Sequence, residues 1–173
     1  MYNAGHVPTS DPLIGMMDQF QAMAERNFLK DGSLCPVLFV SGDDGVKIIG
    51  IPEFGDPKVK PKILASIQMA IIDRKIKEFI ILIEAWMAHG QEGIDHYKDN
   101  PSLENYDKKE EVIMMLYSSP EAEIMRTAKI NREGEKATLS DWKQLNSDKH
   151  QEITAMVGGR FNALWQKGTA NQN

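Results

Sequence analysis

The residues best suited to chemistry lie in and just after one apolar run. Glu84 lies within the run, and His89, Glu92, Asp95 and His96 follow it. His89, Glu92 and His96 are spaced i, i+3 and i+7, so a helix would place all three on one face. Imidazole and carboxylate groups together can bind zinc or a harder divalent ion. The cluster is therefore a candidate centre for a metal-dependent or acid–base hydrolase.

Two features weigh against this metal site. Gly90 and Gly93 interrupt the helix that the spacing requires, and each costs about 1 kcal/mol relative to alanine. The spacing also differs from named zinc-hydrolase motifs such as HExxH. The alternative is that these side chains are solvated residues of a loop. We expect the chain to use no cofactor.

Glu84 is the most informative single residue, because it interrupts an apolar strand. An unpaired buried carboxylate is expensive, so Glu84 should find a cation or become protonated. The candidate partners are Arg126, on a strand of the same sheet, and Arg160, on the last helix. Two alternatives are that Glu84 lines a ligand cavity or simply emerges at the strand end.

Trp86 lies two residues later and should share a sheet face with Glu84. It could form the wall of a site for a small anion or nucleotide, with Arg126, Arg132 or Arg160 as the anion contact. A tryptophan in this position is more often core filler. Gly158 and Gly159 precede Arg160, and glycines at a helix N-terminus can admit an anion. Here the pair lies in mid-pattern, which favours close packing or a kink.

Other catalytic signatures are absent from the sequence. It contains neither a P-loop, nor a dinucleotide-binding fingerprint, nor a G-x-S-x-G elbow. Cys35 is the one cysteine, so no intrachain disulfide can form. A lone cysteine is most often a small buried hydrophobe.

Composition sets the broad class. A chain of 173 residues with 42% hydrophobic residues suits one globular domain, predicted over residues 10–167 with flexible ends at 1–9 and 168–173. A net charge of -5 disfavours nucleic acid as a partner, since phosphate neutralisation needs a basic excess. We find no secretory signal and no apolar run near the ~20 residues of a membrane helix. The expected location is the cytoplasm, with no membrane partner.

Periodicity and turn residues predict the elements that position these groups. Helices are expected over 12–30, 62–77 and 148–166, and strands over 36–41, 46–51, 79–87, 110–118 and 121–132. Residues 89–109 form a long polar connection, and residues 138–145 are ambiguous between a short strand and a helical turn.

The predicted fold class is α+β, with a mainly antiparallel five-stranded sheet flanked by helices in the order α-β-β-α-β-β-β-α. The segments 79–87 and 110–118 are apolar in both phases, which indicates central strands covered on two faces.

The element order resembles roadblock/longin and related profilin-like domains. Short words also resemble those of uncharacterised prokaryotic and phage proteins over residues 10–165. They are Pro36-Val37-Leu38-Phe39, Glu84-Ala85-Trp86 at the end of its strand, and Gly159-Arg160. This resemblance implies no activity.

The first helix is unusually apolar and carries Met16, Met17, Phe20 and Met23. Methionine makes adaptable binding surfaces, although the same face could instead cover the sheet. We interpret the chain as a non-catalytic protein-interaction or regulatory domain whose partner is another protein or itself. Homodimerisation would use the first helix or an exposed strand.

Overall fold

Three helices and seven strands make up the part of the chain that the computed structural model describes, which is residues 12–51, 58–73, 75–99, 103 and 105–145. The predicted helix over 148–166, with Arg160, lies outside these residues. The elements in chain order are α1 (Pro12–Asp31), β1 (Val37–Gly42), β2 (Gly45–Gly50), α2 (Lys60–Ile72), β3 (Glu78–Met87), α3 (Gly90–Asp99), β4 (Glu110–Ser118), β5 (Glu123–Glu133), β6 (Lys136–Leu139) and β7 (Lys143–Leu145).

The strands form one antiparallel sheet in the order β2-β1-β3-β4-β5-β6, with β7 also paired to β5. The predicted fold class is confirmed, but the predicted strand number of five is too low. Residues 138–145, for which the sequence pattern was ambiguous, contain the end of the short strand β6 and the whole of β7. Gly134, at φ 63°, makes the tight turn that folds β6 back on β5.

The central position of β3 and β4 is confirmed. Alternate residues of each strand enter two separate cores, so both strands are buried on both faces. One core lies under α1 and contains Ile80, Leu82, Ile113 and Met115. The other lies under α2 and α3 and contains Ile81, Ile83, Met114 and Leu116, among others.

Helix α1 covers its sheet face with one apolar stripe. Leu13, Met17, Phe20, Ala24 and Phe28 are buried at helical spacing. The Phe20 ring stacks on Phe39 of β1 with 3.9 Å between centroids. Burying each large side chain stabilises the fold by about 1.5–3 kcal/mol. The helix ends where Gly32 adopts φ 72° and its N–H donates to the Phe28 carbonyl at 2.7 Å.

The predicted strands over 36–41 and 46–51 form a hairpin, which turns at Asp43-Asp44 between β1 and β2. Gly45 adopts φ 90°, which favours glycine. Gly42 is needed for another reason: a Cβ there would lie 1.8 Å from the backbone oxygen of Lys75. The hairpin end therefore packs directly against the chain that leaves α2.

The connection after β3 is not a plain polar loop, because it contains helix α3. Gly90 does not interrupt this helix; it stands at the N-terminal end with φ 74°. Gly93 is buried within the helix, and Ile94 beside it joins the core. Gly90 thus forms the turn that enters the helix, and Gly93 is buried in it, so the two glycines do not prevent helix formation.

Candidate functional site

The residues of the predicted metal cluster lie near one another in sequence but face different partners. His89 precedes α3, and its Nε2 is 2.9 Å from Glu110 Oε2. Glu92 accepts from Lys108 Nζ at 2.7 Å, and the His96 ring lies 4.7 Å from that of Tyr106. Within the described ranges, no three histidine, cysteine or acidic side chains come together as a metal site would require.

Glu84 has a cation partner, but it is Arg132 and not the predicted Arg126. The two side chains are 3.5 Å apart, and Glu84 also accepts a hydrogen bond from the backbone N–H of Leu34. Arg126, which lies opposite Met115 of β4, does not pair with Glu84. It instead binds Asp18 of α1 at 2.6 Å. Arg160, the other predicted partner, lies outside the described residues.

Arg132, together with Glu84 and Glu111, connects the sheet to the end of α1. Its Nη2 and Nε donate to Glu111 of β4, with shortest distances of 2.7 and 2.9 Å, and these hydrogen bonds raise the pKa of its guanidinium. It also donates to the carbonyl of Gly32 at 3.0 Å. Glu84, Glu111 and Arg132 thus satisfy one another, which favours the register-fixing role over a ligand site.

Trp86 does not fill the core, since 45% of its surface is exposed. The ammonium of Lys109 lies 4.7 Å from the centroid of its ring, a cation–π contact. Glu111 is the residue directly opposite on β4. The arginine that approaches this end of the sheet, Arg132, is already engaged by Glu111.

The apolar face of α1 is largely occupied by the sheet. Met17 is 2% and Phe20 7% exposed, and both belong to the core. Met16 and Met23 are half-buried against the same core. The predicted subunit contact therefore cannot use Met17 or Phe20 as surface residues. Three of the exposed large apolar side chains of the described residues, Val46, Ile48 and Ile49, lie on one strand.

That strand is β2, which forms the end of the sheet. All six of its residues are exposed, including Val46 at 41%, Ile48 at 68% and Ile49 at 46%. The sequence VKIIGI predicted a strand but gave no sign that it would lie at the margin. Position in a sheet depends on long-range pairing, so local pattern could not reveal it.

The backbone of β2 also has an outward-facing set of polar groups. The N–H of Ile51 donates to the Pro36 carbonyl at 3.0 Å. Because bonded pairs alternate along an antiparallel ladder, residues 45, 47 and 49 bond towards β1. Val46, Ile48 and Gly50 consequently direct their N–H and C=O groups away from the sheet. We call this surface the β2 edge.

A second feature is a cavity of about 440 Å³ on the α3 face of the sheet. We call it the Glu110 cavity. Its lining is drawn from β3, β4, β5 and the chain around β7: Met87, His89, Glu110, Val112, Thr127, Lys129, Ser140, Asp141 and Lys143. Only His89 was predicted as a site residue. The others carry no local motif, because three strands bring them together.

Glu110 is the electrostatic centre of this cavity. Lys129 donates to its Oε1 at 2.8 Å, and the His89 ring nitrogen is 2.9 Å from its Oε2. The hydrogen bond from Lys129 is the main cause that lowers the pKa of the Glu110 carboxyl, and the contact with His89 adds to it. Glu110 is therefore a compensated carboxylate that orients its two neighbours.

A third feature is an apolar cavity of about 320 Å³ between α2 and the β1–β2 hairpin. Its walls include Leu38, Ile49, Ile63 and Ile67. It lies on the sheet face opposite α1 and adjoins β2. One side chain of the β2 edge strand, Ile49, is thus shared between this cavity and the surface.

No protein-family model, curated protein or solved structure matches this chain. None of the helices in the described part of the chain combines the length and hydropathy that a bilayer span requires.

Proposed function

We propose that this protein is a non-catalytic interaction domain that self-associates by pairing the β2 edge of one copy with that of a second. The observation that carries the proposal is the exposure of all six β2 residues, three of them β-branched and apolar. An uncovered edge of this kind is a template for strand addition.

The alternation of faces along β2 defines how two copies can pair. Ile48 lies opposite Phe39, on the α1 face, and Ile49 lies opposite Leu38, on the other face. A two-fold axis perpendicular to the sheet keeps the α1 faces of both copies on one side. Along β2, odd-numbered and even-numbered residues lie on opposite faces of the sheet. Directly opposed residues share a face, so an odd-numbered residue of one copy pairs with an odd-numbered residue of the other, and an even-numbered residue with an even-numbered one.

Charge selects between the two most central registers. An axis through Lys47 would place two lysines directly opposite each other, and like charges in that position are destabilising. An axis through Ile48 pairs Ile48 with Ile48 of the second copy. Lys47 then lies across from Ile49 of that copy, and Val46 across from its Gly50. We therefore propose the Ile48-centred register.

A charge in the pairing strand tests the association. Ile48→Lys should convert the dimer to a monomer in sedimentation equilibrium, since it would place two like charges on the axis. Leu29→Lys is the matched control, because Leu29 is 58% exposed on α1, away from β2. A wild-type protein that sediments as a monomer at about 100 μM, or an Ile48→Lys variant that remains dimeric, would overturn the proposal.

Cross-linking tests the register. In a Cys35→Ser background, Ile48→Cys should form an intermolecular disulfide, because bonded antiparallel pairs have Cα atoms about 5.5 Å apart. Lys47→Cys should not, since its counterpart is displaced by two residues, or about 7 Å along the strand. The background is needed because Cys35 is exposed and free. Equal cross-linking at both positions would reject this register.

A further inference from the structure

The Glu110 cavity retains polar groups that the fold does not use. Asp141 and Lys143 both line it, and neither side chain forms an ion pair or a hydrogen bond with the other described residues. Thr127 is 4% exposed, and its hydroxyl has no hydrogen-bond partner among those residues. Because Thr127 lines the cavity, its hydroxyl can add one hydrogen bond to a bound ligand.

The floor of the same cavity is apolar. Met87 is 7% and Val112 2% exposed, and both belong to the core under α3. A cavity of about 440 Å³ falls in the range that holds small molecules. Its combination of an apolar floor and a few polar groups suits a ligand with one apolar part and one charged end.

The charge balance indicates the class of ligand. The carboxylate of Glu110 is already compensated by Lys129 and His89, so it leaves little excess charge. What remains is one carboxylate, Asp141, and one ammonium, Lys143. A simple anion would leave Asp141 unmatched, and a simple cation would leave Lys143 unmatched. A zwitterion matches both.

We propose that the Glu110 cavity binds a small zwitterion of the α-amino acid class with an aliphatic side chain. The ammonium of the ligand pairs with Asp141, its carboxylate pairs with Lys143, and its side chain rests on Met87 and Val112. This site lies on β3, β4, β5 and β7, whereas the self-association uses β2, so each proposal can fail without the other.

Calorimetric titration of the full chain with L-leucine tests the site. We expect saturable binding, with at least tenfold weaker binding of 4-methylpentanoate and isoamylamine, which lack the ammonium and the carboxylate respectively. Asp141→Asn and Lys143→Met should each weaken leucine binding at least tenfold. Glu135→Gln and Lys136→Met, at the exposed turn between β5 and β6, are controls that should leave it unchanged.

Three results would overturn the proposal. The first is no saturable binding of leucine, valine, isoleucine or methionine at 10 mM, which is about ten times a Kd of 1 mM. The others are equal affinity for the single-charge analogues and unchanged affinity in the Asp141→Asn, Lys143→Met double variant. Circular dichroism of each variant confirms that the fold is retained. All four substituted residues are on the surface, where such changes alter stability by about 0.5 kcal/mol or less.

Discussion

The carboxylate of Glu78 accepts a hydrogen bond from the backbone N–H of Leu13 at 2.7 Å, across 65 residues of sequence. Leu13 is the second residue of α1, and Glu78 is the first residue of β3, 1% exposed. The first N–H groups of a helix have no partner within it, and a negative charge there is favourable. A residue of the central sheet thus caps the helix that covers it.

Replacing this cap should destabilise the protein. Glu78→Leu removes the acceptor and leaves the Leu13 N–H buried without a partner, so we expect a loss of roughly 1–3 kcal/mol in the free energy of unfolding. Urea denaturation measures it. Glu133→Leu, at the exposed end of β5, should change stability by about 0.5 kcal/mol or less. Equal losses in the two variants would contradict the capping role.

Gly42 and Gly15 should respond to alanine in opposite directions. Gly42→Ala places a Cβ 1.8 Å from the Lys75 oxygen, so the hairpin must shift and stability should fall by roughly 1–3 kcal/mol. Gly15 lies inside α1, and nothing lies within 4 Å of a Cβ built there. Gly15→Ala should stabilise by roughly 0.5–1 kcal/mol. Thermal unfolding of the two variants checks both signs.

The carboxyl of Glu110 should titrate differently when Lys129 is removed. Lys129 is the main cause that lowers its pKa, so Lys129→Met should raise that pKa in a ¹³C NMR titration of the carboxyl group. A lowered folded-state pKa means that Glu110 contributes stability above its unfolded-state pKa. This contribution is lost as the pH falls below about 4, where an unperturbed glutamate protonates.

The matched control for that titration is Lys136→Met, on β6, which makes no contact with Glu110 among the described residues. It should leave the Glu110 titration in place. A Glu110 titration that stays in place in Lys129→Met as well would show that Lys129 does not hold this carboxylate in solution.

Arg132 should hold the end of α1. Arg132→Lys loses the paired hydrogen bonds to Glu111, which lysine cannot reproduce. The loss in global stability should stay below about 1 kcal/mol, because the ion pairs are partly exposed. Amide hydrogen exchange near Gly32 and Leu34 should nevertheless become faster. Arg26→Lys, on an exposed position of α1, should leave that exchange unchanged.

The elements that could be predicted from the sequence are those whose formation depends on a local pattern of apolar residues. The periodic apolar residues within 12–30 indicated α1, and the unbroken apolar runs of β3 and β4 indicated strands covered on both faces. These predictions needed no knowledge of which strand neighbours which. The short strands β6 and β7 are too short to show a recognisable pattern. Helix α3 was missed because Gly90 and Gly93 disfavour a helix locally, whereas in the fold one forms the entry turn and the other is buried.

The sites depended on relationships that a single sequence does not carry. Glu84 was correctly expected to need a cation, but choosing Arg132 over Arg126 requires knowing that Arg126 already pairs with Asp18 of α1. Glu78 has charged neighbours in the sequence and carries no local sign of burial, whereas on β3 it is buried beside the first turn of α1. The Glu110 cavity combines residues more than 50 positions apart, so spacing could not reveal it.

The two margins of the sheet are built differently. On one side β5 is covered in two pieces, by β7 over Met125–Thr127 and by β6 over Ile130–Glu133, with Ser140 bonded to Lys129 between them. The covering strands are only three and four residues long, and short strands are poor templates. If two chains pair through β2 as proposed, the described part of each offers no second long strand edge, so we expect growth to stop at a pair and not to continue into a filament.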